Sequence, residues 1–321
     1  MARVALLSNP RSTGNRSLLP QVRQFCASHP DIFHYEVEDV GQIGDAMRTI
    51  AMVGPRVIAI NGGDGTVQAA LTELYSGEYF GGKPPPVAVL PNGKTNLIAL
   101  DLGADGDPLK ALQRVLDLAA CDLGSHVIER QLISLSDGSN RPVLGMFLGG
   151  AYLADVMLYC RHKIYPLGLP NGVSHLLAAV LALFAMVLGI GGGRLPPKPS
   201  PLNVSLIRQG ELKGRFSLLI VTTLEKLLLS VRTGDAKAAG TMKLLLVAPK
   251  LGALMRMMNA TWRGTLGKYP VSGVHFEAGD EIRIEGERSN LILDGEIFEA
   301  RHGHPITLTS TAPVPFLRLA A

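Results

Sequence analysis

The segment Asn61-Gly62-Gly63-Asp64-Gly65-Thr66 constrains the fold more than any other feature of this sequence. An apolar, strand-like run at 57–60 precedes it, and a helix-like run at 67–75 follows it. Its closely spaced glycines allow a sharp turn and a close approach of the backbone to a ligand. The free amide groups at the start of the following helix favour an anion such as phosphate. This order of elements predicts an α/β unit with a phosphate-binding loop.

Asp64 lies inside the predicted anion site. A carboxylate repels phosphate unless a metal ion or a transferable proton lies between them. Asp64 therefore favours phosphoryl transfer over passive phosphate binding, and we expect it to serve as general base and metal ligand. The alternative is a glycine turn that Asp64 merely caps.

Composition restricts the class of protein. With 321 residues, 47% of them apolar and 18% charged, the chain is long enough for two globular domains. The net charge of +4 comes from scattered Lys and Arg, and this pattern predicts no nucleic-acid partner. It fits an anionic nucleotide or an anionic membrane surface equally well. Cys26, Cys121 and Cys160 show neither a disulfide nor a zinc spacing, which favours a reducing, cytoplasmic setting.

The pattern of elements changes near residue 126. Before it, strand-like runs at 3–7, 57–60 and 87–90 alternate with helical patterns, which predicts a parallel α/β domain over residues 1–125. The loops after these three runs should meet at the carboxyl edge of the sheet. After it, alternating strand patterns predict an antiparallel β-sandwich domain over residues 126–321.

An apolar helical segment at 173–190 interrupts the predicted sandwich. Its length is at the lower limit for crossing a bilayer, but strands resume soon after it. A helix that lines a lipid-tail pocket or lies in one leaflet explains the same composition, as does a buried core helix.

The loops together resemble those of the diacylglycerol, sphingosine and ceramide kinase family. Asn9-Pro10, the Gly62–Thr66 loop and the 91–96 loop occur in that family's order, whereas Ala88 rules out a Walker loop around Gly93-Lys94-Thr95. The resemblance implies ATP as cosubstrate, with Mg²⁺. It also implies an ATP-binding set of Asn9, Pro10, Gly62, Gly63, Gly65, Thr66, Asn92, Gly93, Lys94, Thr95 and Asn96.

The third loop departs from the family pattern P-x-G-T-G-N, since Lys94 and Thr95 replace its Thr and second Gly. A lysine there offers a cation to the β- or γ-phosphate, or it is simply solvated. Arg161, in a short basic cluster, is either solvated or contacts the nucleotide across the domain cleft.

The second domain extends the resemblance. Leu293-Asp294-Gly295-Glu296 resembles the family's acidic D-G-E segment, which implies that Asp294 and Glu296 assist catalysis and that Asp294 and Asp64 bind the metal. Read from the residues alone, Asp294-Gly295 is the tip of a β-hairpin. The choice between Asp64 and these two carboxylates as the base stays open.

The segment from Gly150 to Val156 is similar to sphingosine kinases, in which a carboxylate stands at the position of Met157 and meets the polar head group. Met157 cannot pair with an ammonium, so a neutral lipid head is expected. Asp155 is either a hydroxyl acceptor or a surface residue at a strand end.

These features predict an ATP-dependent kinase for the primary hydroxyl of a neutral membrane lipid, with ceramide preferred to diacylglycerol because the second domain resembles the sphingolipid branch. The alternatives are a diacylglycerol or sphingoid-base kinase, an NAD kinase that shares GGDGT, and a non-catalytic lipid-binding protein. The expected location is cytoplasmic, peripheral at the inner membrane face, and the sequence indicates no oligomeric state.

Overall fold

The computed structural model describes residues 2–93, 96–138, 141–193, 195–206, 210–227, 231–232 and 242–320. In these ranges the first sheet has the strand order β2-β1-β3-β4-β20-β5. Its strands, in chain order, are β1 (Val4–Ser8), β2 (Ile32–Glu36), β3 (Val57–Asn61), β4 (Val87–Val89), β5 (Val127–Arg130) and β20 (Val314–Leu317).

Strands β1 to β4 are mutually parallel, as predicted, and β20 extends the sheet parallel to β4. Strands β1 and β3 are buried along their whole length, which is why both are continuous apolar runs. The helices connected with this sheet are α1 (Asn15–Ala27), α2 (Ile43–Val53), α3 (Asp64–Ser76), α4 (Leu97–Asp101) and α5 (Pro108–Ala120), with 3₁₀ turns at Val40–Gln42 and Gly124–His126.

Local chemistry sets several of these helix ends. The side chain of Asp107 accepts a hydrogen bond from the Leu109 amide at the start of α5, and Pro108 occupies the first helical position. Helix α2 ends at Gly54, whose φ of 65° is the left-handed conformation typical of helix C-termini.

Two antiparallel sheets form the β-rich second part. One has the order β10-β9-β16-β19-β6-β7 and the other β15-β14-β11-β8-β17-β18. The first comprises β6 (Ile133–Ser136), β7 (Val143–Gly145), β9 (Pro201–Leu206), β10 (Gly210–Arg215), β16 (Glu281–Gly286) and β19 (Ile306–Ser310). The second comprises β8 (Phe147–Gly150), β11 (Leu218–Thr222), β14 (Met242–Val247), β15 (Val274–Gly279), β17 (Ser289–Leu293) and β18 (Glu296–Ala300).

Apolar side chains from both antiparallel sheets share one core, with Val204 and Ile284 from one sheet and Leu219 and Leu291 from the other. A further short pair is β12 (Lys226–Leu227) with β13 (Val231–Arg232). The helices of this part are α6 (Tyr152–Tyr159), α7 (Asn171–Leu188) and α8 (Leu251–Trp262), with a π-helical turn at Cys160–Ile164 and a 3₁₀ turn at Tyr165–Leu167.

The predicted boundary near residue 125 stays a prediction, but the sheets add a detail to it. Strands β5 and β20 both follow residue 125 and both belong to the first sheet. The end of the chain therefore returns to the α/β part after completing the sandwich.

Helix α7 occupies the apolar segment, and it is not a buried core helix. Leu176, Val187 and Leu188 are 66%, 61% and 54% exposed, whereas Ala178 and Ala185 are buried. None of the helices in the described ranges combines the length with the apolar character that a bilayer crossing requires.

Candidate active site

The loops that follow β1, β3 and β4 lie against one another, as predicted for the carboxyl edge of a parallel sheet. The amide of Asn9 donates to the carbonyl oxygen of Asn61 at 3.1 Å, which joins the first two loops. The amide of Gly63 donates to the Ser12 hydroxyl at 3.1 Å. The three loops thus form one surface, and Ser12 belongs to it.

A buried network of asparagine amides fixes the loops. Asn92 Nδ2 donates to Asn15 Oδ1 at 2.5 Å and to Asn61 Oδ1 at 2.6 Å. Asn15 Nδ2 donates in turn to the backbone oxygens of Asn9 and Asn61. All four side chains are at least 93% buried, so each lost hydrogen bond would leave an unsatisfied polar group. The network predetermines the shape of the loops.

A buried hydrogen bond links Asn9 of the first loop to Thr66 of the second. Asn9 Nδ2 donates to Thr66 Oγ1 at 2.9 Å, and Asn9 Oδ1 accepts from the Arg11 amide across the half-buried Pro10. The sequence assigned Asn9, Pro10 and Thr66 to ATP binding. The structure places all three in the loop cluster, and direct contact with ATP stays a prediction.

Two positions in these loops require glycine, because neighbouring side chains lie too close to leave room for a Cβ atom. A Cβ atom on Gly62 would lie 2.6 Å from the Cβ of Thr66, and one on Gly14 would lie 1.9 Å from Asn92 Oδ1. At Gly63 and Gly65, by contrast, a Cβ atom would meet no heavy atom within 4 Å. These two glycines therefore leave open space at the start of α3.

Helix α3 begins at Asp64, and its N-cap residue Gly63 has no side chain with which to cap it. Such a helix start suits an anion, because backbone amides and the helix dipole both favour negative charge.

The third loop packs against this helix start at Gly93. A Cβ atom on Gly93 would lie 3.3 Å from Gly63 Cα and 3.5 Å from Asp64 Oδ1. Asn96 fixes this loop by accepting a hydrogen bond from the Gly93 amide at 2.6 Å. Lys94 and Thr95 lie outside the described residues.

Asp294 approaches this site from the second part of the chain. Asp294 and Gly295 connect β17 to β18 with φ angles of 44° and 98°. Two positive φ angles are the geometry of a two-residue hairpin for which Asp-Gly is a favoured sequence. The hairpin interpretation and the catalytic interpretation of this segment therefore describe the same turn.

The carboxyl group of Asp294 is held in place and isolated from water. Its Oδ2 accepts from the Met146 amide at 2.7 Å and its Oδ1 from the Phe147 amide at 3.0 Å. Burial raises the pKa of Asp294 to about 7, and the nearby charge of Asp64 also raises it, whereas the two backbone hydrogen bonds oppose the shift. Asp64 and Asp294 therefore interact although 230 residues separate them in the sequence.

Two residues that sequence reasoning missed position this pair. Gln68 Nε2 donates to the carbonyl oxygen of Leu293 at 2.9 Å, directly before Asp294. A Cβ atom on Gly145 would lie 2.5 Å from Asp294 Oδ2, so only glycine fits there. Gln68 follows Asp64 by one helical turn and is 99% buried. The sequence signal that could have identified Gln68 is its position, since it is a polar residue among the buried apolar positions of α3.

Glu296 and Arg161 have more exposed positions. Glu296 begins β18 and is exposed, although partial burial raises its pKa. Arg161 is exposed in the π-helical turn after α6. Their predicted roles, in catalysis and in nucleotide binding respectively, stay predictions.

Asp155 lies on helix α6 and not at a strand end. Its Oδ1 accepts from Asn290 Nδ2 at 2.9 Å, and burial raises its pKa while this hydrogen bond opposes the shift. Met157 is 41% exposed, and a two-residue separation on a helix places it on a different face from Asp155. The two residues therefore do not share one surface, and their substrate contacts stay predictions.

Carboxylates beside phosphate loops raise the question of a metal. Across the described ranges, no cluster of three or more His, Cys, Asp or Glu side chains could hold a metal ion. Mg²⁺ commonly binds through one or two carboxylates together with substrate phosphates. Asp64 and Asp294 supply hard oxygen donors. Burial is the main cause of the raised pKa of Asp294, and the charge of Asp64 adds to it, a repulsion that a divalent cation relieves. The pair thus fits Mg²⁺ bound jointly with a nucleotide.

Comparison with known proteins identifies the first part of the chain. Residues 3–125 match the family model of the diacylglycerol kinase catalytic domain. This part belongs to that family. The chain is accordingly a kinase, a phosphotransferase. No curated protein matches the sequence.

Solved structures show that the shared fold extends beyond the catalytic domain. A diacylglycerol kinase from Bacillus anthracis str. Sterne aligns with a TM-score of 0.60 and 16% identity over 98% of this chain and 96% of that one. A protein of the same strain, assigned provisionally as a diacylglycerol kinase, aligns with a TM-score of 0.64 and 17% identity over 97% and 94%. Identities this low show a common fold and do not carry the substrate.

Proposed function

We propose that this chain is an ATP-dependent lipid kinase that transfers the γ-phosphate to the primary hydroxyl of a neutral membrane lipid. The observation that carries the proposal is the buried hydrogen bond from Gln68, one turn after Asp64 on α3, to Leu293, directly before the buried Asp294, beside three joined loops. A carboxylate pair beside a helix N-terminus serves both parts of the reaction, phosphate binding and removal of a proton.

The nucleotide is proposed to lie on the loop surface, with its phosphates at the start of α3. Gly63 and Gly65 leave open space there, and the asparagine network fixes the backbone around it. Because the loops are already held by buried hydrogen bonds, little conformational freedom is lost when phosphate binds. Asp64 and Asp294 would hold Mg²⁺, which would supply positive charge to the phosphates.

An alcohol barely ionises at neutral pH, so a carboxylate must accept its proton as the phosphate bond forms. Asp64 is the proposed base, since it stands at the open end of α3. Asp294 is buried, and both of its oxygens accept backbone hydrogen bonds, so it is proposed to act on Asp64 through its charge. Glu296 is the alternative proton acceptor.

The lipid is proposed to approach from the side of α6. Asn290, the partner of Asp155, precedes Asp294 by four residues, or about 13 Å along an extended strand. At this separation Asp155 does not share the reacting hydroxyl with Asp64. Asp155 is instead proposed to contact a more distant part of the lipid.

Diacylglycerol and ceramide both carry a neutral head and a primary hydroxyl. The preference for ceramide rests on the sequence resemblance of the second part and stays a prediction. Met157, whose apolar side chain disfavours the charged head of sphingosine, lies on a different face of α6 from Asp155. The discrimination between neutral and charged heads therefore needs a direct test.

One assay tests the proposal. The purified chain is incubated with labelled ATP and with diacylglycerol, ceramide, sphingosine or NAD in the same detergent, and products are separated by thin-layer chromatography. We expect transfer of label to a neutral lipid in wild type and a severe loss in Asp64→Asn. Label on NAD alone, or on sphingosine in preference to both neutral lipids, would refute the proposed substrate class.

A further inference from the structure

Helix α7 buries small side chains and exposes large apolar ones, the opposite of what is usual for a helix packed on a core. Its inward face is formed by small residues, with Ser174, Ala178, Ala182 and Ala185 all at least 93% buried. Most of its large apolar side chains point outward instead, although Leu177 and Leu181 pack against the buried cluster around Cys160. The outward ones are Val173, Leu176, Val180, Leu183, Phe184, Val187 and Leu188, each at least 39% exposed. Burial within this chain does not account for these large apolar residues, whereas an external apolar partner does.

Helix α8 contacts α7 and carries a second exposed apolar stripe. The stripe follows the spacing i, i+4, i+7, i+11, which places its members on one helix face. Its members are Leu251, Met255, Met258 and Trp262. We call the exposed apolar residues of the two helices the α7–α8 surface.

The acidic and basic residues of the chain segments that carry this surface share one sign. No Asp or Glu occurs in the sequence over 156–210 or over 249–276. The exposed cations that the structure describes in these stretches are Arg161, Lys163, Lys198, Lys250, Arg256, Arg263 and Lys268. Apolar side chains bordered by cations suit an apolar partner with an anionic rim.

We propose that the α7–α8 surface docks on the face of a bilayer that contains anionic lipids. Its outward Leu, Val and Phe side chains enter the acyl boundary, and the surrounding Lys and Arg contact lipid phosphates. Trp262, 87% exposed at the end of α8, and Tyr269, 69% exposed, have the amphipathic rings that are enriched at this depth. A second copy of the chain fits less well, because a symmetric contact would oppose like charges.

The surface lies one helix away from the candidate active site. Helix α6 contacts both α7 and β17, and β17 leads directly into Asp294. Docking would therefore bring the bilayer to the side of the site from which the lipid is proposed to approach. As a route to substrate this inference rests on the proposed function, whereas docking itself is measured without nucleotide.

Trp262 is the sole tryptophan of the sequence, so its fluorescence reports docking directly. Wild-type protein is titrated with vesicles of phosphatidylcholine alone and with vesicles that also contain phosphatidylglycerol. We expect a blue shift of the emission and protection from acrylamide quenching, both much stronger with phosphatidylglycerol. Unchanged emission with both vesicle types would overturn the proposal.

Substitutions identify the face that binds. In vesicle flotation, the double variant Leu176→Ser with Phe184→Ser should bind at least about tenfold more weakly than wild type, because two exposed apolar side chains no longer enter the acyl region. Met52→Ser is the matched control, since Met52 is 77% exposed on the distant helix α2. Circular dichroism checks that both variants fold. Equal binding of the double variant and this control would overturn the proposal.

A charge series tests the anionic rim. Neutralising Lys163, Lys250 and Arg263 with Gln should weaken binding to the phosphatidylglycerol vesicles by about fivefold per residue. The control neutralises the exposed cations Lys83, Lys110 and Arg114 of the α/β part, with little effect expected. Equal losses in the two series would show nonspecific attraction and would refute docking through this face.

Two further outcomes separate the hypotheses. A Trp262 shift that grows with protein concentration without vesicles, together with a dimer in sedimentation, would assign the face to a second copy and overturn membrane docking. Phosphorylation of detergent-dispersed lipid without vesicle binding would refute docking alone. Vesicle binding without phosphorylation of any lipid would support docking and refute the proposed function alone.

Discussion

Gln68 donates a hydrogen bond of 2.9 Å to the carbonyl oxygen of Leu293, and this contact joins the two halves of the candidate site. Gln68 lies one turn after Asp64 on α3, and Leu293 directly precedes Asp294. The bond is buried, so its loss would leave a polar group without a partner in a low-dielectric setting. It fixes the separation of the two carboxylates.

Replacing Gln68 by Met keeps the length of the side chain and removes the donor. We expect turnover to fall while the Michaelis constant for ATP changes little, because the nucleotide loops are held by other bonds. The free energy of unfolding should fall by about 1–3 kcal/mol, the cost of an unsatisfied buried carbonyl. Steady-state kinetics and urea unfolding measure both. Gln113→Met, on the exposed side of α5, is the control. Unaltered turnover in Gln68→Met would mean that the carboxylate pair does not depend on this bond.

Asp64→Asn keeps the size of the side chain but cannot accept a proton. Turnover should fall by about 10²–10⁴-fold, the usual scale for general acid–base catalysis, with ATP binding largely retained. Single-turnover kinetics and nucleotide titration separate the two effects. Asp45→Asn, an exposed substitution on α2, serves as the control. A decrease of only a few-fold would assign the base to another group, with Glu296 the next to test.

Asp294 should make stability depend on pH. Its pKa is raised from 3.8 to about 7 in the folded protein, so between these values the folded state binds more protons than the unfolded chain. The stabilisation is therefore complete below about pH 4 and is lost as pH rises through about 7. It amounts to about 4 kcal/mol. Urea unfolding across this range should show this decline in wild type.

The variant Asp294→Asn isolates that titration, because an amide does not ionise. It loses an acceptor for one of the Met146 and Phe147 amides, which costs about 1–3 kcal/mol at every pH. The difference between wild type and variant should nevertheless change with pH, in the variant's favour as pH rises. A difference that is constant from pH 4 to above 7 would contradict the raised pKa.

Gly145→Ala should disturb the site without touching any substrate. Its Cβ atom would lie 2.5 Å from Asp294 Oδ2 and 2.7 Å from Leu293, so the turn must move. A shift of about 1 Å at a catalytic carboxylate can cost about 10²-fold in rate. Gly172→Ala is the matched control, because its Cβ atom would meet no heavy atom within 4 Å. Steady-state kinetics in detergent compare the turnover of the two variants. Equal turnover in Gly145→Ala and Gly172→Ala would mean that Asp294 takes no part in the reaction.

Local sequence was sufficient for β1, β3 and β4 of the α/β part, but it missed β2. The runs in β1, β3 and β4 are apolar because both faces of a parallel sheet are covered, and their turn residues identified the phosphate-type loops. It failed at 152–159, which is rich in residues that also suit strands and forms helix α6. It also missed β20, because no local pattern shows that a strand at the end of the chain returns to the first sheet.

The sequence by itself determined which chemical groups are present: glycine turns, an acidic residue at a helix start and an Asp-Gly hairpin. Tertiary structure alone decided that the charge of Asp64 reaches Asp294, that Gln68 and Asn15 hold their surroundings, and that most of the large side chains of α7 face outward. The physical reason is that turns and helix starts depend on neighbouring residues. Burial, pKa shifts and hydrogen bonds across 225 residues depend on how distant elements pack.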